Sequence, residues 1–269
     1  MDFKQFLKNF KIRTGYDFCD YSDNSISRRL EKISTGTGLS YEQMLEKALT
    51  DITFKNKIID EITVNTTELF RDPSTWISLY KTLYKQLPKS PSITFWHIGC
   101  SRGLEVYSSL ILMHQLGLFD KCRVIGTDLN PRVLDIARKG EYAYKFNLYF
   151  KDNFDEVMKG CELDAKFEDY FDIDEQKDIM KVKPFLVERP SFMIQNLVQD
   201  KIPFAYKVDV VFFRNVMIYF NEKLQNKIMS SVCTKMYDGA ALVLGKQESL
   251  TPLMATRFNK MGQYYQKKA

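Results

Sequence analysis

The stretch from Ile93 to Asp128 constrains this chain most. It reads as an apolar strand (Ile93–Ile98), a small-residue turn (Gly99-Cys100-Ser101-Arg102-Gly103), a helix from Leu104 to about Leu116, and a second strand (Arg123–Thr127) that closes on Asp128. Strand, turn, helix and strand in that order form the first half of a doubly wound nucleotide-binding sheet. Gly99 and Gly103 permit a tight turn and let a ligand approach main-chain N–H groups. An acid ending the second strand is placed to accept hydrogen bonds from ribose hydroxyls. The glycines do not follow the G-x-G-x-x-G spacing, and no G-x-x-x-x-G-K-[ST] loop occurs. Dinucleotides and nucleoside triphosphates are thereby disfavoured. What remains is a ligand with an adenosine and no phosphate to cradle, a description that S-adenosylmethionine fits, although many α/β enzymes carry such a turn.

The rest of the composition sets outer limits. With 269 residues, 45% apolar and 27% charged, the chain can bury a real core in one large domain or two modest ones. Its net charge of +5 comes from 39 basic residues interleaved with 34 acidic ones. Nucleic-acid binding usually needs a clustered basic stripe and is disfavoured; a local basic face toward an acidic protein stays open. Five cysteines are scattered without C-x-x-C spacing, so neither a disulfide framework nor a metal site is expected. The start has no signal-peptide apolar run and no stretch is long enough to span a bilayer. The expectation is a cytoplasmic monomer without membrane insertion.

Taken in order, the first ninety or so residues read as helices. Phe3, Phe6, Leu7 and Phe10 share a helical face that Thr14-Gly15 ends; Asp23-Asn24-Ser25 can cap a second helix carrying Ile26, Leu30 and Ile33. Ser40 begins a third, and a fourth runs from about Thr53 through Ile62. A helical domain is expected at 1–75, and a helix from Pro73 with a linker at Leu87–Pro91 fills 76–91. An α/β domain occupies 92–269. Asn130-Pro131 opens a further helix ended by Gly140. Residues 141–175 show no clear period. Ile179 to Val187 and Ser191 to Ile194 alternate like short antiparallel strands, giving a small β-subdomain at about 170–194. Val208–Phe213 and Ala240–Leu244 are buried strands, separated by a helix from about Glu222 to Met236 and the turn Asp238-Gly239.

Four blocks in order carry a resemblance: Asn65-Thr66-Thr67-Glu68-Leu69-Phe70-Arg71, Cys100-Ser101-Arg102-Gly103-Leu104-Glu105, Gly126-Thr127-Asp128-Leu129-Asn130 and Arg214-Asn215-Val216-Met217-Ile218-Tyr219-Phe220. Together they resemble the signature blocks of the CheR family, the chemotaxis receptor methyltransferases. The likeness extends to Ser27-Arg28-Arg29-Leu30 and to Gly245–Glu248, so it spans nearly the whole chain. It implies an α/β fold: a Rossmann-like S-adenosylmethionine-dependent methyltransferase domain with a small inserted antiparallel β-subdomain, preceded by an all-α domain. It implies methyl transfer to glutamate side chains of chemoreceptors, with S-adenosylhomocysteine as product.

The resemblance also implies roles for residues. Asp128 matches the ribose-binding acid. Glu105 matches the second acid of the family's Gly-Glu-Glu-Pro turn, although Leu104 and Val106 stand where the family has an acid and a proline. Asn196 and Leu197 match the adenine-side pair, and Gly99, Asn215 and Val216 complete the cofactor wall. Asn65, Thr67 and Arg71 belong to a segment that covers the cofactor. Arg71 and Tyr219 are the catalytic candidates, since a fixed guanidinium can pair with a carboxylate. Each has a bland alternative, from a solvated strand-end acid at Asp128 to a core aromatic at Tyr219. His97 and His114 are read as structural.

Arg28, Arg29 and Lys32 lie within one turn of the second helix and are expected to dock an acidic acceptor bundle, unless they are only a solvated face. Some family members hold a receptor's C-terminal pentapeptide on the small subdomain through a glycine-containing loop. The matching segment here, Phe171–Met180, has no glycine and is acidic, so no such tether is expected. Two other readings stay open: the same fold with another acceptor, and a cofactor-binding module without turnover.

Overall fold

Helical periodicity governs the chain up to the first strand. The computed structural model describes residues 1–89 and 92–269, with α1 at Phe3–Thr14, α2 at Asp23–Thr37, α3 at Tyr41–Thr50 and α4 at Ile52–Thr63. α1 and α3 open with capping boxes, Asp2 with Gln5 and Ser40 with Gln43, which satisfy the first free N–H groups. Asp23 does not cap α2 as expected. It is already the first helical residue, where its carboxylate faces the positive end of the helix dipole. Phe6, Phe10, Ile26, Leu30, Met44 and Ile58 meet in one apolar core of these four helices. α5 (Pro73–Thr82) starts on proline and is followed by a 3-10 stretch, Tyr84–Lys89. Of the linker expected at Leu87–Pro91, Ser90 and Pro91 lie outside the described residues.

The α/β part follows as β1 (Ile93–Ile98), α6 (Leu104–Gln115), β2 (Cys122–Asp128), α7 (Pro131–Lys139), β3 (Glu141–Ala143), α8 (Tyr149–Cys161), β4 (Phe171–Asp174), β5 (Ile179–Val182), α9 (Pro184–Val187), β6 (Ser191–Ile194), β7 (Val208–Phe213), α10 (Glu222–Thr234), β8 (Met236–Leu244), α11 (Pro252–Ala255), β9 (Phe258–Met261) and β10 (Tyr264–Lys267). The larger sheet has the order β6-β2-β1-β7-β8-β10-β9, parallel from β6 to β8 and antiparallel at the β10-β9 edge. β1 is buried on both faces: Phe95 packs into one core with Phe212, and Trp96 into the other with Phe213. Among the described residues no helix is long and apolar enough to cross a membrane.

Four local expectations are corrected. Pro184–Val187 is a short helix, because Pro184 fixes φ for a first helical turn and stops β5. Ser191–Ile194 leaves the small sheet, which is β3-β5-β4, and pairs in parallel with β2. Gly126 makes that possible: a Cβ there would come within 2.7 Å of the Phe192 ring. Asp238-Gly239 does not precede the strand. β8 starts at Met236 opposite Val208, and residues 237–239 form an irregularity before Ala241 meets Val210. Finally, α8 occupies part of 141–175, a stretch whose sequence shows no clear period.

Candidate active site

A parallel sheet leaves the carboxyl ends of its strands open where the chain crosses from one side to the other. Here β1 continues to β2 on one side and has β7 on the other. At those ends lies a cavity of about 980 Å³ including its mouth. Its wall contains Asn65, Thr67, Arg71, Gly99, Glu105, Asp128, Asn196, Leu197, Asn215, Val216 and Tyr219, so residues scattered over more than half the chain meet in one space. Arg28, Arg29 and Lys32 are not part of the wall.

Gly99 holds φ +66°, and a Cβ there would sit 2.4 Å from Val216 Cγ2. Only glycine lets the turn after β1 meet the loop after β7 this closely. The backbone N–H groups of Ser101 and Asn130 donate to the two oxygens of Asp128, each at 2.9 Å. Burial nevertheless pushes the Asp128 carboxyl above its usual value, against the N–H groups of Asn130, Ser101 and Leu129. A half-buried carboxylate with spare lone pairs suits a ligand that brings hydroxyl donors. Ser101 Oγ and Gln195 Oε1 are buried without hydrogen-bond partners among the described residues. A polar nucleoside in this cavity answers that deficit, so the wall fits the adenosine ligand expected from the strand-end acid.

A charged chain runs from the wall into the core. His97 Nδ1 lies 2.9 Å from Glu105 Oε1, and Arg214 Nη1 donates to Glu105 Oε2 at 3.2 Å. Burial raises the Glu105 carboxyl, but the His97 hydrogen bond and the Arg214 charge together bring it below its usual value. Arg214, its side chain 1% exposed, also donates to Asp72 Oδ2 at 2.8 Å and to the Arg71 carbonyl at 3.0 Å. That carbonyl accepts from Trp76 Nε1 as well, at 3.0 Å. Two donors therefore fix the backbone from which the Arg71 side chain enters the cavity. The Arg71 guanidinium has no ion-pair partner among the described residues. His97 is fully buried, stacked on Phe212, and takes no part in the wall; His114 sits with Tyr170.

Tyr219 stands on the loop after β7. Asn215 there takes φ +60°, and Glu248 accepts from the N–H groups of Asn215 and Gly245 at 2.7 Å and of Ile218 at 3.2 Å. Burial raises the Tyr219 phenol, with the Arg29 and Arg71 charges opposing. Arg29 does not share one outward face with Arg28 and Lys32. Its guanidinium lies 5.3 Å from the Tyr219 ring centre and donates to the Glu61 carbonyl at 2.9 Å. Arg28 is exposed, and Lys32 is exposed and paired with Glu61 at 2.8 Å.

Sequence reasoning missed Tyr21, Gln195 and Arg214. Tyr21 comes from the helical part, its ring edge-on to Phe220 at 5.0 Å, and forms part of the cavity wall. Arg214 and Gln195 each adjoin a residue the sequence did single out (Asn215 and Asn196). That adjacency is the signal that could have found them.

The chain is similar in sequence to known proteins. Residues 65–266 match the family model described as CheR methyltransferase, SAM binding domain. The chain is 30% identical over 251 residues to a Pseudomonas putida protein named as methyltransferase Cher3, covering 93% of this chain and 89% of that one. It is 27% identical over 265 residues to chemotaxis protein methyltransferase 1 of Vibrio cholerae, covering 94% and 90%. It is 27% identical over 243 residues to the protein of the same name in Pseudomonas aeruginosa, covering 85% and 82%.

Proposed function

The chain belongs to the CheR methyltransferase family, and from that membership we propose that it methylates glutamate side chains on the cytoplasmic helices of a chemoreceptor, forming methyl esters. One observation carries the reading. Arg71 and Tyr219 face the same cavity as Asp128, while neither histidine does. A glutamate carboxylate, with a reference pKa of about 4.3, is already ionised near neutral pH, so its methylation asks for no general base. When bound, S-adenosylmethionine supplies an electrophilic methyl group. The chain supplies placement and a dry, charged enclosure. Asp128 holds the ribose. Asn196 and Leu197, with Gln195, take the adenine side. Asn65, Thr67 and Glu105 serve the amino-acid end. Gly99, Asn215 and Val216 shape the wall between them. Arg71 orients the acceptor carboxylate, and Tyr219 keeps it in line.

The departures at Leu104 and Val106 lie outside the cavity. Both are buried in the core and neither is part of the cavity wall. Radiolabelled methyl transfer to a receptor cytoplasmic fragment tests the proposal, with base-labile label on the fragment as the expected result. Tight S-adenosylhomocysteine binding without label transfer would replace it with the reading of a binding module.

The acceptor is reached through the helical part, where Arg28 and Lys32 are exposed. No C-terminal pentapeptide tether is involved. Two acids of the turn between β4 and β5 are engaged within the chain: Asp174 accepts from the Lys177 N–H at 3.0 Å, and Asp178 from the Lys145 N–H at 2.7 Å. Titration with C-terminal receptor peptides is expected to show no saturable binding. Micromolar binding lost on deleting residues 174–178 would reinstate the tether.

A further inference from the structure

Three large apolar side chains crowd one short exposed segment. Phe146 is 80% exposed, Leu148 54% and Tyr149 39%. A loose loop would fold such groups inward, since each buried CH₂ gains about 0.8 kcal/mol. This segment cannot, because its backbone is pinned. Asp178 accepts from the Lys145 N–H at 2.7 Å through its carboxylate and from the Tyr144 N–H at 3.2 Å through its carbonyl. Buried Asn147 donates from Nδ2 to the Ala143 carbonyl at 2.6 Å. The rigid turn thus holds an apolar surface out in water, which in soluble proteins marks a site of contact.

Its position says what it contacts. The segment runs into α8, whose Phe154 ring lies 6.0 Å from that of Phe70, and Phe70 sits between Glu68 and Arg71 of the cavity wall. Tyr142, on β3 just before the segment, donates from its hydroxyl to the Arg102 carbonyl at 2.6 Å. On α8, Asn153 donates to the Leu69 carbonyl at 3.0 Å and so ties the segment to the Asn65–Arg71 cover. An apolar lip is therefore tied on one side to Arg102 and on the other to the segment that carries Arg71 into the cavity.

We infer that Phe146, Leu148 and Tyr149 dock one amphipathic, carboxylate-bearing helix of the acceptor protein, seating its apolar side while its carboxylate reaches Arg71. The inference rests on the methyl-transfer reading and adds to it the surface that selects a helix. Apolar and acidic residues three or four apart on a helix match an apolar lip next to guanidinium groups.

The test is direct binding of a receptor cytoplasmic helical fragment to the full chain in the presence of S-adenosylhomocysteine. The variants are Phe146→Asn with Leu148→Asn, and separately Tyr149→Ser. The double variant is expected to raise the fragment's Kd about tenfold or more with an unchanged S-adenosylhomocysteine Kd, and Tyr149→Ser to raise it less. Equal fragment binding by wild type and variants, or none by wild type, overturns the inference. So does a concentration-dependent dimer that the double variant abolishes without touching fragment binding. The two readings separate cleanly. Binding that the variants weaken, with no methyl transferred by wild type, sinks the enzymatic reading and keeps the lip. Transfer by the variants at wild-type acceptor KM does the reverse.

Discussion

Asp128 sits under opposing demands. Burial favours its protonated form, while the N–H groups of Asn130, Ser101 and Leu129 favour the carboxylate, and burial wins, leaving the pKa above its ordinary 3.8. A folded-state value raised above the unfolded one contributes stability at low pH that is lost as pH rises through it. Ribose hydroxyls would donate to the carboxylate and reverse that loss. S-adenosylhomocysteine should therefore bind more weakly as pH falls from neutrality through the acid range in which the raised Asp128 carboxyl takes up its proton. Asp128→Asn should flatten that profile and cost ~1–3 kcal/mol of affinity near neutrality. Calorimetry across that range decides it, and an unchanged affinity in the folded variant would remove the ribose assignment. Arg71 and Tyr219 make a different demand, since both are proposed to act on the acceptor. Arg71→Ala and Tyr219→Phe should lower kcat more than cofactor affinity. If the loss of cofactor binding accounts for the whole rate loss of Arg71→Ala, that residue only binds. Arg29 is a poor probe of docking, because its guanidinium covers Tyr219.

At the scale of elements, the loop after β7 depends on a residue far along the chain. Glu248 takes the N–H groups of Asn215, Ile218 and Gly245 and so sets where Tyr219 stands. Glu248→Ala leaves those donors unpaired, with an expected loss of ~1–3 kcal/mol in stability and a fall in turnover. Thermal unfolding and methyl-transfer rates together check this; an unaltered melting temperature and rate would mean the loop is held by its own turn. The element that sequence reading missed, α8, had a legible face: Phe150, Phe154, Val157, Met158 and Cys161 are its buried residues at helical spacing. The charged residues between them and the aromatic run before them hid it. The error at Ser191–Ile194 has another cause. Alternation with period two identifies a strand but not its partner, and only the space over Gly126 sends this one to the edge of the large sheet.

At the scale of the molecule, the helices and the sheet share one site. Ser22 N–H donates to the Tyr219 carbonyl at 2.8 Å, Asn221 N–H to the Asp20 carbonyl at 3.0 Å, and Asn130 Nδ2 to Asp60 at 2.6 Å. Tyr21 and Thr63–Thr67 thereby complete a cavity whose other walls are strand ends. If the exposed basic face of α2 docks an acidic bundle, methylation should slow with added salt. Arg28→Glu with Lys32→Glu should raise the acceptor KM and spare S-adenosylhomocysteine affinity. Salt-insensitive transfer with a normal KM would leave that face merely solvated. By itself the sequence determined the parallel-sheet core, the acid at the end of β2, the family's ordered blocks and eleven residues of the cavity's wall. Those features rest on local periodicity, turn chemistry and short motifs, which need no distant partner to be read. Only the tertiary structure decided that Arg214 joins Glu105 to the Arg71 segment, that Arg29 turns inward to Tyr219, and that Tyr21 walls the cavity from the helical side. These are contacts between residues far apart in the chain, set by the packing of elements whose spacing in sequence carries no trace of it.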